Sequence, residues 1–468
     1  MRHPAFHVSA KLVGGVSSVT GFLRQCEAFI SHFSTYFTLD ITFQISYFTS
    51  DMLCSTEKPS YAVIGAGVSG LSIARMLKSK GHQATIFEKE STPGGLIRCE
   101  RIEGTLYHCV GGHVFNSRNK DVLNWFWQQL DKADFDLAVR HAVVALADGT
   151  LIDYPIENHL YQMKEEMREA VIEDLLRIVK SGYPNDDNFD DFLRHRFGET
   201  LYREYFAPYN RKIWRQSLTD VPLEWLEGKL PMPTVKEILS ANIGQVKEMN
   251  MVHSTFHYPK TGGSQFVADC LAKGIDIRYN SPISTITRHE DKWSIGGEDF
   301  DAIIFCGNVK ELPAMLSGTG IELTGLEQLH FHGTTSVLCE VAANPYSWIY
   351  MPGEEHESHR IICTGNFAAS NSPAGTSTAT IEFSEEISKE KILEQLQRIP
   401  FSPRYIAHRY TPCTYPVQDG ETRRIIDKAK EQLEPQGIYL LGRFAEWEYY
   451  NMDAAMGAAM KLCSQLES

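Results

Sequence analysis

Three glycines and one carboxylate carry the first chemistry legible in this chain. Gly65, Gly67 and Gly70 stand as GxGxxG within "YAVIGAGVSG", followed at once by the helix-patterned "LSIARMLKSKG". A glycine at the first position permits a tight turn, and at the second it lets backbone approach a pyrophosphate. At the third it allows close packing of helix on strand, with the helix N-terminus directed at the phosphates. Glu88 ends the next short run, "QATIFEK", where a carboxylate accepts hydrogen bonds from the adenosine ribose hydroxyls. Strand, helix, strand and acid in this register predict a dinucleotide-binding β-α-β unit. These residues alone serve FAD and nicotinamide nucleotides equally.

The elements that must position them belong to a chain of 468 residues, long enough for two or three domains. A formal charge of −14 argues against nucleic acid or an anionic membrane as partner. Ten cysteines without a CxxC pair suit reduced thiols in the cytoplasm and argue against a disulfide framework or a zinc site. His330 with His332, and His356 with His359, lack the neighbouring ligands that would complete a metal cage. No metal is expected. The aromatic-rich stretch "AFISHFSTYFTLDITFQISYFTSD" lacks the aliphatic density of a membrane span, and no basic n-region precedes a clean apolar core. Residues 1–57 are expected to be an N-terminal extension, poorly ordered or an artefact of a start upstream of Met52.

A second glycine element decides between cofactors. Pro93-Gly94-Gly95 follows the acidic strand, with Arg98 close behind. Glu88-Lys89, the Gly-Gly doublet and Arg98 together resemble the extended FAD fingerprint of amine-oxidase-like flavoproteins, so the resemblance implies FAD. Such proteins return to the cofactor twice more. "GIDIRYNSPISTITRHEDKWSIGGEDFDAIIFCGN" reads as short strands closing the parallel sheet. "GIYLLGRFAEWEYYNMDAAMGAAMKLC" reads as a buried strand, a Gly442-Arg443 turn and a final helix with Asn451 or Asp453 as N-cap. No second GxGxxG supports a separate NAD(P)H domain.

The expected fold is α/β: an FAD-binding, Rossmann-like domain of the glutathione-reductase type, with a helical insert and an antiparallel β-sheet substrate domain. Its segments run as FAD-binding 58–153, helical insert 154–249, FAD-binding 250–315, substrate sheet 316–410 and FAD-binding 411–468.

The motifs "GHQATIFEKESTPGGLIRCERIEGTLYHCVGGHVFNSRNKDV", "YFAPYNRKIWRQSLTDVPLEWL", "YPKTGG", "YPV" and "GRFAEWEYYNMDAAMGAA" resemble UDP-galactopyranose mutases. They resemble equally the related proteins labelled amine oxidase or protoporphyrinogen oxidase. The resemblance implies that Gly112 and His113 lie against the flavin ring. It implies that Gly442, Arg443, Met452 and Asp453 contact the cofactor, that Tyr209 and Trp214 line the substrate cavity, and that Tyr449 reaches a substrate diphosphate. His113, Arg443 and Tyr449 are thus the implied catalytic residues. On pattern alone Trp214, Tyr449 and His113 read equally as packed core or loop residues, whereas a charged Arg443 between a buried strand and a helix calls for an anion or flavin partner.

Three departures bear on substrate. Pro233 stands where the mutases carry a diphosphate-gripping arginine, with only Lys229 or Lys236 near it. "FCGNVKELPAM" does not match a second diphosphate-contacting segment, and Asn451 replaces an aspartate. Two chemistries therefore stay open: reduced flavin as catalyst on a nucleotide-linked sugar, or oxidised flavin taking a hydride from a small organic substrate. The expected partners are a small-molecule substrate and an external electron donor or acceptor; monomer and homodimer are both open.

Overall fold

Short apolar runs bounded by turn residues supply the strands of two large sheets. The computed structural model describes residues 58–221, 223, 233–245 and 254–467; the expectations for residues 1–57 and for Lys229 lie outside these. The twelve strands of the large sheets are β1 (Ser60–Ile64), β2 (Gln83–Phe87), β3 (Ala142–Ala145), β4 (Leu151–Asp153), β5 (Asp276–Arg278), β6 (Ala302–Phe305), β7 (Phe331–Glu340), β8 (Trp348–Tyr350), β9 (Arg360–Ile362), β10 (Thr378–Phe383), β11 (Arg404–Pro416) and β12 (Ile438–Leu440). The helices used below are α1 (Val68–Ser79), α2 (Glu165–Ser181), α3 (Ala207–Trp214) and α4 (Met452–Leu466).

The first sheet has five strands in the order β12-β6-β1-β2-β5, and every pairing is parallel. β1 and β6 are buried almost throughout, as strands covered on both faces must be. Helix α1 follows β1 through the glycine turn and packs against α4, Leu71, Ile73 and Met76 sharing one core with Met452, Met456 and Ala459. The chain thus enters this sheet from three separate stretches of sequence.

The second sheet has seven strands in the order β11-β7-β10-β9-β8-β3-β4. Its pairings are antiparallel except one: β8 lies parallel to β3. Within the stretch from Phe331 to Pro416 every pairing is antiparallel, as expected for the substrate sheet; the parallel contact is added by β3, from an earlier part of the chain. Strands β3 and β4 come from the first segment of the chain, and β11 runs on to Pro416. Nothing local in "AVVALADGTLID" distinguishes a hairpin that joins one sheet from a hairpin that joins the other; the partner lies some two hundred residues on.

Register fixes which side chains meet. Tyr350 pairs with Arg360, Arg360 with Glu382, Glu382 with Ser336, and Ser336 with Arg409. Residues directly opposite on neighbouring strands point to the same face, so a polar row crosses the middle of the sheet. The other face is apolar: Ile349, Ile361, Ile381, Val337 and Phe383 form a core with Ile392 and Leu396. The helical insert closes over the polar face with Tyr205, Tyr209 and Trp214 in the same cluster as Trp348, Tyr350 and Ile362.

A Cβ on Gly70 would lie 2.0 Å from the Gly65 carbonyl oxygen, which is backbone and has no room to yield. Gly70→Ala is therefore expected to cost about 1–3 kcal/mol by overpacking. A thermal melt checks this; an unchanged Tm would contradict the packing role.

Candidate dinucleotide and substrate site

The glycine turn is built by conformations that other residues resist. Gly65 has φ +105° and Gly94 φ +122°, both in the left-handed region. The Gly94 N–H donates to the Ala66 carbonyl at 2.8 Å, and a Cβ on Gly95 would lie 3.2 Å from the Gly67 Cα. The Gly-Gly doublet thus packs against the first glycine turn. Gly442, φ +103°, closes the third side: its Cβ would lie 2.6 Å from Ser69 Oγ in the first turn of α1. By contrast, a Cβ on Gly67 would meet nothing within 4 Å. Packing requires glycine around this point, while the point itself is open, at the N-terminus of α1.

The Glu88 carboxylate is buried and held at both oxygens. Oε2 accepts from the Ala66 N–H at 2.7 Å and Oε1 from the Glu90 N–H at 2.9 Å. Each oxygen retains a lone pair for a ribose hydroxyl. Arg98 pairs with Glu90 at 3.1 Å, at the border of the same turn. These features fit the adenosine and pyrophosphate of a dinucleotide.

The segment from Gly442 to α4 is fixed from within. Glu446 accepts from the Gly442 N–H and from Lys430, both at 2.9 Å. Trp447 is fully buried at φ +52°, an uncommon conformation for a bulky residue, and donates from Nε1 to the Val417 carbonyl at 3.1 Å. Arg443 then projects with Nε on the Tyr450 carbonyl at 3.1 Å and Nη1 on the Thr414 carbonyl at 3.0 Å. Among the described residues it forms no ion pair, and its guanidinium lies 4.7 Å from the centre of the Tyr449 ring. Asn451 occupies the N-cap position of α4 without a side-chain cap bond, and Met452 begins the helix. Asp453 accepts from Ser117 Oγ at 3.1 Å and so ties α4 to the loop after His113 rather than capping the helix.

Beyond that loop lies the polar row of the second sheet. Arg360 pairs through Nε with Glu382 and donates from Nη2 to Tyr415 Oη at 3.0 Å. Tyr415 stacks on Tyr449 at 5.5 Å. An unbroken series of contacts thus runs from Arg360 through two tyrosines to Arg443. Tyr209 makes an edge contact with Tyr350 at 5.4 Å and lies 6.3 Å from the His359 ring. Trp214, at the end of α3, donates to Asn210 Oδ1 at 3.3 Å and is nine-tenths buried. Arg360, Glu382, Tyr350 and Tyr415 are site residues that spacing does not single out. The available signal was one charged residue inside the apolar run "HRIICTGNF", since an arginine in a covered strand needs a partner.

Electrostatics separate the groups sharply. Burial would raise the Glu382 carboxyl, but the Arg360 guanidinium and His359 outweigh it and hold it at about 2. His113 is pushed down to about 4 by burial and then by Arg443, so its imidazole is neutral at pH 7. Its buried Nε2 has no hydrogen-bond partner among the described residues. Gly112 is confined beside it, where a Cβ would lie 2.5 Å from Ile362 Cγ2. Burial raises the Tyr209 phenol well above its ordinary value, so it stays a proton donor.

A second buried network is inert by the same criteria. Cys99 lies 3.5 Å from His108 Nδ1, but burial lifts the thiol to about 11 and lowers the imidazole to about 3. His108 Nε2 shares a 2.7 Å hydrogen bond with Tyr258, which ties two strands together instead of activating sulfur. Among the described residues no group of three or more His, Cys, Asp or Glu is placed to hold a metal, and no helix is long and apolar enough to cross a membrane. Lys236 lies on an exposed helix face, so it offers no replacement for a cavity arginine.

A family described as "NAD(P)-binding Rossmann-like domain" matches residues 63–130. UDP-galactopyranose mutase from Mycoplasma pneumoniae is 21% identical over 429 residues, covering 88% of this chain and 96% of that protein. Protoporphyrinogen oxidase 2 of Arabidopsis thaliana is 21% identical over 317 residues, 58% of this chain and 62% of the relative. A crystal structure of reduced UDP-galactopyranose mutase superposes with a TM-score of 0.77 at 22% identity, covering 88% of this chain and 96% of the other. Fold, glycine cradle and likenesses together define a flavoenzyme of the FAD-binding α/β class. Within that class the chain most resembles, among these proteins, UDP-galactopyranose mutase.

Two outcomes follow. Gly67→Ala adds a methyl into open space, so the Tm of the flavin-free protein should hold while FAD affinity falls at least ~10-fold, a loss of roughly one 1.4 kcal/mol step; an FAD titration of the variant that matches wild type would contradict the cradle. Stability should also fall with acid. His108 and His113 have folded-state values below the ordinary 6.5, so the unfolded chain takes up protons first as pH drops from there towards 4. Glu382, depressed from 4.5 to about 2, extends the loss to lower pH. Urea midpoints between pH 7 and 4 measure this; a flat profile would contradict buried neutral imidazoles.

Proposed function

We propose that this protein binds FAD in the glycine cradle and acts on a nucleotide-linked sugar, with reduced flavin as catalyst. The observation that carries the reading is the continuous Arg360–Tyr415–Tyr449–Arg443 series of contacts. Gly65, Gly67, Gly70, Gly94, Gly95, Glu88 and Arg98 hold the adenosine and pyrophosphate. Gly112, Gly442, Met452 and Asp453 frame the flavin end. When bound, reduced FAD supplies an electron-rich nitrogen able to attack an anomeric carbon.

The protein's own part is orientation and charge. Arg360 retains donors after pairing with Glu382 and Tyr415, and Arg443 retains donors after its carbonyl bonds; both are offered to an anionic linkage. Tyr209 and Tyr449 donate to oxygens of the same group, and Trp214 packs beside the base or sugar. Arg360 thus takes over on the sheet the task of the arginine that the mutases carry where Pro233 stands here. The helical and sheet layers exclude water from the reacting face. A catalyst regenerated each cycle needs an external donor only to reach its reduced state. The cytoplasm, with its reduced thiols, suits such a protein.

One observation favours a second reading. His113 has a neutral imidazole whose buried Nε2 has no hydrogen-bond partner among the described residues, and an oxidase that takes hydride from a C–H bond, such as the one beside an amine nitrogen, needs an acceptor for the accompanying proton.

Anaerobic titration separates the two. A UDP- or dTDP-sugar should perturb the reduced-flavin spectrum and leave oxidised flavin unreduced, whereas rapid bleaching of oxidised flavin by an amine or a porphyrinogen would establish the oxidase. Arg360→Lys keeps the charge opposite Glu382 but loses the planar donor fork, so UDP affinity should fall on the order of 10–100-fold. Unaltered UDP affinity in that variant would remove Arg360 from the anion site.

A further inference from the structure

Helix α3 brings Tyr209 and Trp214 over the polar face of the second sheet, yet little regular structure holds it there. A π-helical turn at Tyr202–Phe206 precedes it, and Arg215 ends it at φ +53°, a left-handed conformation for a non-glycine residue. Between these irregular ends lies Lys212, partly buried, on the side of the β8–β9 turn. Its ammonium donates to the carbonyls of Met351 and Ser358, each at 3.0 Å, and to that of Gly353. Three donors meet three acceptors, all in one turn, and none is a carboxylate.

That turn carries the arginine end of the site. Tyr350 stands immediately before it, and His359 and Arg360 immediately after. On its outer side the turn backs onto a groove of about 670 Å³, lined by Gly353, Glu354 and Glu355 together with Lys164, just before α2, and Met167 within it. The turn's outer surface is thus an open groove instead of a packed core.

We propose that Lys212 is a positioning residue. By bonding three carbonyls of the Met351–Ser358 turn, it locks the helix bearing Tyr209 and Trp214 to the hairpin bearing Tyr350 and Arg360, and so sets the cavity's grip on the anionic part of its ligand. This rests on the substrate reading above only for the identity of the ligand; the lock itself is a property of the free protein.

The lock depends on charge. The neutral amine has two N–H donors, one too few for three carbonyls. Glu354, Glu355 and Glu357 of the turn favour the ammonium, but burial outweighs them and brings it down to about 8. The imidazoles that face it, His356 and His359, are themselves lowered by burial and add no positive charge at that pH.

Two readouts test this on FAD-loaded protein. The first is amide hydrogen exchange without substrate. Lys212→Met should accelerate exchange across residues 352–358 at least ~10-fold while retaining flavin, and Lys212→Arg, charged at every accessible pH, should restore most of the protection. Above pH 8 the wild type should lose protection of this turn beyond the intrinsic alkaline acceleration, and Lys212→Arg should not. Unchanged protection in Lys212→Met, or an alkaline loss that persists in Lys212→Arg, would overturn the lock. The second readout is UDP affinity of the reduced protein, expected to be ~10-fold weaker in Lys212→Met and within ~3-fold of wild type in Lys212→Arg. Equal UDP affinity in Lys212→Met and wild type would overturn the effect on the ligand. If wild type itself ignores UDP, the substrate reading fails, and the exchange data still decide the lock.

Discussion

Backbone can approach backbone, or a phosphate, within van der Waals distance only where no Cβ stands between them. Everything else in this molecule is arranged around one place where that condition holds. Gly70 closes α1 onto β1, Gly94 and Gly95 lay a second turn against the first, and Gly442 brings the last segment against Ser69. Two neighbouring turns and one segment far along the chain therefore share one cradle at the N-terminus of α1, where amide donors and the helix dipole favour an anion. Gly67 is the position in that group with open space ahead of it.

A second constraint acts across the other sheet. A charge in a covered strand is tolerated only with a partner, and Arg360 has Glu382 directly opposite in the ladder. Removing Glu382 while keeping Arg360 would cost about 3–5 kcal/mol, the usual penalty for half of a buried pair. The pair costs desolvation in its own right and contributes less to stability than to placement: it holds a guanidinium in one orientation, beside Tyr415 and near the loop of Gly111 to His113. Around it the titratable groups are driven to fixed states at neutral pH, with the carboxylate ionised, the imidazoles neutral and the phenols protonated.

The part of this arrangement legible in sequence is the part encoded locally. GxGxxG, Glu88 and the Gly94-Gly95 doublet lie within thirty-one residues, Gly65 to Gly95, and their spacing alone dictates a β-α-β unit. Gly442 and the final helix were legible because a buried strand, a turn and a small-residue helix are again contiguous. Arg360 and Glu382 were not, because their partnership exists only through strand register. Glu382 taken singly looks like a surface residue in an alternating strand, and Arg360 in its apolar run signals the need for a partner without naming it. The parallel contact of β3 with β8 was hidden for the same reason, and so was Lys212, whose partners are carbonyls and leave no mark in side-chain identity.

The central claim is that the three glycine-bearing segments form one FAD site. Equilibrium titration of the full-length protein, stripped of flavin and then returned to FAD, tests it most directly. The account predicts saturation at one FAD per chain with quenching of flavin fluorescence; protein that stays colourless in excess FAD, or that prefers NAD(H) to FAD, would contradict it.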